Sequence, residues 1–224
     1  MKLYMHPVST TSRPVMMFIT ENGIDVEMQT VDLMSGEHMN ATYTAINPNQ
    51  LVPVLEDGDF RLAESLAILK YLADLIDSPA YPKDLKQRAR VNASMDWFNT
   101  DFYREFGYGL IYPQLFPHHK RQSDEVQSAT IAWAQEKARD RLRVLNDSWI
   151  GPDQAYLCGD TLTIADFFGA EFVSVGDIIR CDLSRYANIS RWIATMKALP
   201  SWASVHEIAD GFAATLVEQE FARI

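Results

Sequence analysis

Four hydroxyls stand in a row at Ser9, Thr10, Thr11 and Ser12, between the apolar stretch "KLYM" and a run that opens with Arg13-Pro14. A second polar pair, Glu64-Ser65, stands where the apolar run "LAILKYL" begins. Hydroxyls can donate charge-assisted hydrogen bonds to an anion. The free N–H groups and positive potential of a helix N-terminus suit a carboxylate. The bland alternative is that these residues only cap their helices. Proline is tolerated in a helix's first turn, so Pro14 favours Ser12 as the cap of the first helix and leaves Ser9 free to face a ligand. A third feature is Val52-Pro53-Val54, where a proline that removes a ladder donor sits in an otherwise strand-like segment.

Bulk properties narrow the chemistry. The chain has 224 residues, 47% hydrophobic and 22% charged, which is enough for one large or two modest globular domains. A net charge of −10 argues against nucleic acid, which needs a concentrated basic surface. The densest basic run, "HHKRQ" at His118 to Gln122, reads as a solvated helix connection. No metal-ligand spacing appears, and the adjacent His118 and His119 cannot share one helix face. Two cysteines, Cys158 and Cys181, are too few for a disulfide framework and form no CxxC pair. With no signal-like start and no membrane-length apolar run, the reading is a cytoplasmic protein with no membrane association.

The elements that must position these residues divide the chain in two. "KLYM" reads as a strand, a helix runs from about Ser12 to Asn22, and Gly23 stops it. "VEMQTV" gives a second strand and "GEHMNATYTAIN" a short helix. "VPVL" and "FRLA" flank a hairpin turn at Asp57-Gly58. Ile68, Leu69, Leu72 and Ile76 then form a helical apolar face. Pro79 and Pro82 mark a linker, after which only helices are expected. Val91, Met95, Phe98, Phe102 and Phe106 define one long helix, and Val126, Ala129, Trp133, Ala138, Leu142 and Leu145 another. A third opens with a capping box at Thr163 and Asp166, and shorter helices follow around 187–199 and 202–210. The expected domains are 1–77, a linker at 78–85, and an all-helical 86–224.

Asn47-Pro48, Val52-Pro53-Val54-Leu55, Asp57-Gly58, Glu64-Ser65 and "AILKYL" together resemble the cytosolic glutathione transferases. "VDLMSGEHM" from Val31 and "YPKDLKQRARV" from Tyr81 are similar to the theta class and its bacterial dehalogenase relatives. The resemblance runs from about Leu3 to about Trp202. It implies a thioredoxin-like α/β N-terminal domain, ordered β-α-β-α-β-β-α, followed by an all-α domain. It also implies a cis Pro53, so that Val52 presents its backbone to the cysteinyl part of glutathione as an added strand would. Without the resemblance, Pro53 could merely end an edge strand.

The remaining site residues are implied in the same way. Ser65 would hold the γ-glutamyl carboxylate and Glu64 the ammonium, while His38 would meet the glycine carboxylate. Met39 and Leu51 stand where theta enzymes commonly carry lysines, which leaves Gln50 as the nearest polar substitute there. Aligned on Arg13, Ser9 takes the place of the catalytic serine, with Thr10 as runner-up. Arg13 itself reads as structural, paired with an acid near the domain junction. A free thiol has a pKa of about 8.5. Lowering it by two units takes roughly 2.7 kcal/mol of stabilisation for the anion. Tyr4 lies within the first strand and is discounted as catalyst.

The implied activity is transfer of glutathione to a small hydrophobic electrophile, with glutathione as co-substrate and no permanently bound cofactor. The electrophile pocket would lie between the domains, with Val8, Phe102 and Phe106 as lining, although aromatic stripes at helical spacing are usually core. A homodimer is implied as well. Alternatives are a glutathione-dependent dehalogenase or peroxidase on the same site, or a non-catalytic relative that binds glutathione or a partner.

Overall fold

Leu3 and Met5 fall on one face of the first strand by simple alternation, and both are buried. In the computed structural model, which describes residues 1–224, this strand is β1 (Lys2–Met5). It pairs in parallel with β2 (Glu27–Thr30) and antiparallel with β3 (Val54–Asp57), and β4 (Phe60–Ala63) adds to β3. The resulting order is β2-β1-β3-β4. A parallel pair needs a crossover, which α1 (Arg13–Asn22) supplies. Gly23 ends α1 in the left-handed region, φ 60°, where glycine carries no steric penalty. A 3-10 turn (Glu37–Met39) and the short α2 (Ala41–Thr44) lead to β3. The β3–β4 hairpin turns through Gly58, φ 63°. The architecture is the expected thioredoxin-like one.

Helix α3 (Ser65–Leu75) buries Ile68, Leu69 and Leu72 completely. Ile76, expected on the same face, is 38% exposed because the helix ends one residue earlier. The first long helix of the second part, α4 (Leu85–Trp97), starts at Asp84, whose carboxylate accepts the N–H groups of Lys86 and Gln87. It continues through two π-helical turns, Phe98–Phe102 and Arg104–Ile111, into α5 (Tyr112–Leu115). Helix α6 (Asp124–Val144) forms as expected, but only the second half of its expected face, with Ala138 and Leu142, turns inward. Ile131, Ala134, Ala138 and Leu142 are buried, whereas Val126 and Trp133 are exposed.

The buried helix α7 (Ile164–Ser174) lies at the centre, packed against α1, α4 and α8 (Ala187–Lys197), while α9 (Pro200–Ala214) packs chiefly on α1. Its capping box is present. Asp166 also accepts the Leu157 N–H at 2.8 Å and the Trp192 indole at 3.0 Å, so one buried carboxylate ties three segments together. Phe18 of α1 meets Phe167 of α7 edge-on, with centroids 5.5 Å apart. The α/β and helical parts therefore share one core, which fixes the walls of the cleft between them. No helix is long and apolar enough to cross a membrane.

Candidate active site

A cleft of about 430 Å³ opens where the ends of β1 and β3 face the helical part. Its first wall is the loop after β1. There the Ser9 hydroxyl accepts the Ser12 N–H at 3.2 Å and lies 3.0 Å from the Thr11 hydroxyl. Thr11 in turn donates to the Val52 carbonyl at 2.9 Å. This corrects the sequence reading of the helix start. Ser12 makes no cap bond with its side chain, and it is Ser9 that closes the turn before α1 while lining the cleft. His6 lines the same wall, and its Nδ1 accepts the Val8 N–H at 3.2 Å. Burial lowers the His6 pKa, with the Asp32 charge opposing, so the neutral ring is favoured.

Behind this loop, Arg13 is buried and anchored. It donates to the Val8 carbonyl at 2.8 Å and to Glu171 of α7 at 2.7 Å. His206 of α9 faces the same carboxylate, with Nε2 3.2 Å from Oε2, and stacks on Trp202. Burial pushes the Glu171 carboxyl up, but Arg13 and then His206 outweigh it and hold the carboxyl below its ordinary value. The pairing expected for Arg13 is therefore with Glu171. It couples the cleft loop to two helices of the other part.

The second stretch of wall runs from Asn47 to Ser65. Val52-Pro53 is a cis peptide. The Tyr43 hydroxyl and the Asn47 amide both bond the Leu51 carbonyl, at 2.7 and 2.8 Å, and so hold the loop. The Val52 N–H has no acceptor within the chain. Its carbonyl has a second lone pair beyond the one that Thr11 uses. Gln50 and Glu64 both take positive φ, 57° and 72°. For residues with a Cβ this costs on the order of 1–3 kcal/mol, and such outliers cluster at ligand clamps. Glu64 occupies the N-cap position of α3, yet its side chain makes no capping bond. Ser65 beside it is buried. Glu64, Ser65, Gln50, Leu51, Val52, Pro53 and His38 all line the cleft. The His38 Nδ1 is buried without a partner. Met39 does not join them; it is 63% exposed because the 3-10 turn points it to solvent. None of the lining residues is a lysine or arginine.

The facing wall is helical and aromatic. Val8 lines the cleft as expected, but Phe102 and Phe106 do not: both are completely buried. They continue the apolar stripe of Met95 and Phe98 into the shared core. Burying a phenyl ring contributes about 1.5–3 kcal/mol. Tyr103, Tyr108 and Tyr112 face the cleft instead. Each π turn holds an extra residue, which rotates later side chains away from a simple three-four pattern. Gly107 leaves room for the Tyr103 ring, since a Cβ there would lie 2.4 Å from it. Tyr112 donates to Thr10 at 3.0 Å and also contacts the Tyr103 hydroxyl. Phe116, His118 and His119 complete this wall, so "HHKRQ" is only in part a solvated connection. The signal that could have revealed them is the aromatic spacing of Tyr108, Tyr112 and Phe116.

Both cysteines stand apart from the cleft lining. Burial pushes the Cys158 thiol up to about 12 and the Cys181 thiol up to about 11, so neither is a ready nucleophile.

Comparison with known proteins bears on this geometry. The family model for the glutathione S-transferase N-terminal domain matches residues 1–74, and that for the C-terminal domain matches 110–200. Human glutathione S-transferase theta-2B is 36% identical over 173 residues, 76% of this chain and 69% of that protein. Human theta-1 is 34% identical over 168 residues, with 74% and 69% covered. The solved structure of human theta-2 with glutathione superposes at a TM-score of 0.86 with 28% identity, covering 100% of this chain and 93% of that one. The human theta-class enzyme with the glutathione conjugate of 1-menaphthyl sulfate gives 0.85 at 30% identity, covering 97% and 88%.

Proposed function

The chain belongs to the glutathione S-transferase family, and from that premise we propose that its cleft ionises the thiol of glutathione for attack on a small hydrophobic electrophile. The observation that carries the reading is Glu64. Its carboxylate stands at the cleft on a strained backbone, with no capping bond to justify the strain. A charged ligand group, the γ-glutamyl ammonium, accounts for both features. Ser65 and the free N–H groups of α3 then take the γ-glutamyl carboxylate. The unpaired Val52 N–H and its carbonyl suit the cysteinyl backbone as an added strand. His38, Gln50 and Leu51 are left for the glycine end, where the orphaned His38 Nδ1 supplies a polar contact.

The thiol then lies toward the loop after β1. Ser9 is the proposed donor to the sulfur, helped by the N-terminal potential of α1. Transfer follows from position: the anion faces an aromatic wall that lacks fixed charge and accepts an apolar electrophile. Glutathione is a co-substrate here, not a resident cofactor. The same reading includes a domain boundary at 78–85, a homodimer and a cytoplasmic setting, as the family resemblance implies.

Glutathione calorimetry, followed by a panel of halide, epoxide, nitroaryl and hydroperoxide substrates, tests the proposal. Conjugate formation is expected with at least one. In Ser9→Ala, turnover at neutral pH should fall roughly ten- to hundredfold with little change in glutathione affinity, because only the anion loses a donor worth ~1.5–3 kcal/mol. No binding of glutathione by the wild type would end the proposal.

A further inference from the structure

Each hydroxyl owns one proton, so the direction of a series of hydroxyls follows from what lies at its end. Thr11 gives its proton to the Val52 carbonyl, 2.9 Å away, because a carbonyl only accepts. Ser9, 3.0 Å from Thr11, must then give its own proton to Thr11, while its oxygen accepts the Ser12 N–H. That series is closed in the absence of a ligand, so Ser9 can turn its hydrogen to a sulfur only by leaving Thr11. A second series runs in from the helical wall. Tyr112 donates to Thr10 at 3.0 Å, which uses its only proton, so Tyr103 must donate to Tyr112. Burial raises both phenols above their ordinary value, which keeps them protonated through the neutral range. This series ends at Thr10, whose own proton has no acceptor in the protein. Thr10 lines the cleft between the Ser9 loop and the aromatic wall, where a sulfur must stand to meet an electrophile.

We infer that Thr10 is a second catalytic hydroxyl, donating to the glutathione sulfur as the anion forms, with Tyr112 and Tyr103 as positioning residues that commit its oxygen as an acceptor and leave its proton for the cleft. The inference rests on glutathione occupying the cleft as proposed above. The thiol proton leaves to solvent; no covalent bond in the relay breaks, and Thr10 stays protonated. Ser9 must give up its bond to Thr11 to reach the sulfur, whereas Thr10 gives up nothing. Hydrogen bonds in series polarise one another, so Tyr112 also strengthens Thr10 as a donor.

The test is the thiolate absorbance of protein-bound glutathione, titrated with pH in the wild type, Thr10→Val, Tyr112→Phe, the double variant and Thr10→Ser. Thr10→Val should raise the pKa of the bound thiol by about one unit, a tenfold fall in its ionisation constant. Tyr112→Phe should raise it by a smaller amount, and Thr10→Ser should restore most of the loss. The double variant should match Thr10→Val alone, because Tyr112 acts only through Thr10. Tyr112→Phe removes one oxygen from the helical side, so it reports even if Thr10→Val disturbs the loop. Coinciding curves for wild type and Tyr112→Phe, or additive shifts in the double variant, would overturn the relay alone. Absence of glutathione binding in the wild type would overturn both the relay and the reading beneath it.

Discussion

The two walls of the cleft are built by opposite means. The α/β wall is made largely of loops with a specialised backbone: a cis peptide, two positive-φ side-chain-bearing residues and an unpaired N–H at Val52. The helical wall has a helical backbone, interrupted by π turns, and places its chemistry in side chains, three tyrosines and two histidines. The first wall suits a ligand of fixed shape and charge. The second suits varied apolar shapes. A recognition site thus tolerates strain in order to hold one ligand, whereas the opposite wall keeps its rigidity in the core behind it.

The largest effect should come from breaking the joint between the walls. Arg13→Met removes the buried partner of Glu171 and the donor to the Val8 carbonyl. Stranding a buried charge costs ~3–5 kcal/mol, to be read by urea unfolding. The pH dependence has a definite sign. Glu171 has a lowered folded pKa, so its contribution is present above the ordinary value of 4.5 and is lost as pH falls through the lower folded value. In Arg13→Met the acid transition should move to higher pH, since the largest influence lowering that pKa is gone.

Next comes a contrast within the helical wall. Phe106→Ala opens a hole in the shared core and should cost ~3–5 kcal/mol. Tyr108→Phe, on a half-exposed cleft residue only a few positions away, should stay within about 0.5 kcal/mol. Equal losses by denaturant unfolding would mean that the core stripe and the cleft stripe are not distinct.

Smaller in size, but opposite in sign, is Glu64→Gly. Glycine adopts positive φ freely, so stability should rise by about 1 kcal/mol while glutathione affinity falls. A thermal melt and a calorimetric titration on the same sample separate the two. A variant that loses both stability and affinity would make Glu64 an ordinary structural residue.

The same contrast explains what was legible in the sequence. The α/β wall could be read because its residues form contiguous motifs, Val52-Pro53-Val54 and Glu64-Ser65, that carry the family resemblance; their types alone left a strand end and a helix cap open. The hairpin turn at Asp57-Gly58 and the capping box at Thr163-Asp166 were legible because their signals are local. The helical wall was misread at Phe102 and Phe106 because apolar spacing marks the buried face, and the cleft lies on another. The π turns that bring Tyr103, Tyr108 and Tyr112 to the cleft leave no mark on residue type, apart from Gly107 beneath the Tyr103 ring. The cap of α1 was assigned to Ser12 because Pro14 fixes only where a helix can start, and Ser9 reaches the turn from three residues back. Met39 was placed by analogy of position, but the turn that carries it faces solvent.

The central claim is that Glu64 exists to meet the ammonium of glutathione. A calorimetric cycle tests it most directly, comparing glutathione with its analogue lacking the γ-glutamyl amino group on the wild type and on Glu64→Ala. A charged hydrogen-bonded pair is worth ~1.5–3 kcal/mol, so the wild type should bind the analogue roughly ten- to hundredfold more weakly. Glu64→Ala should bind both ligands with nearly equal, weakened affinity. If the wild type and Glu64→Ala discriminate between the two ligands to the same degree, the ammonium is held elsewhere and the account of this wall is wrong.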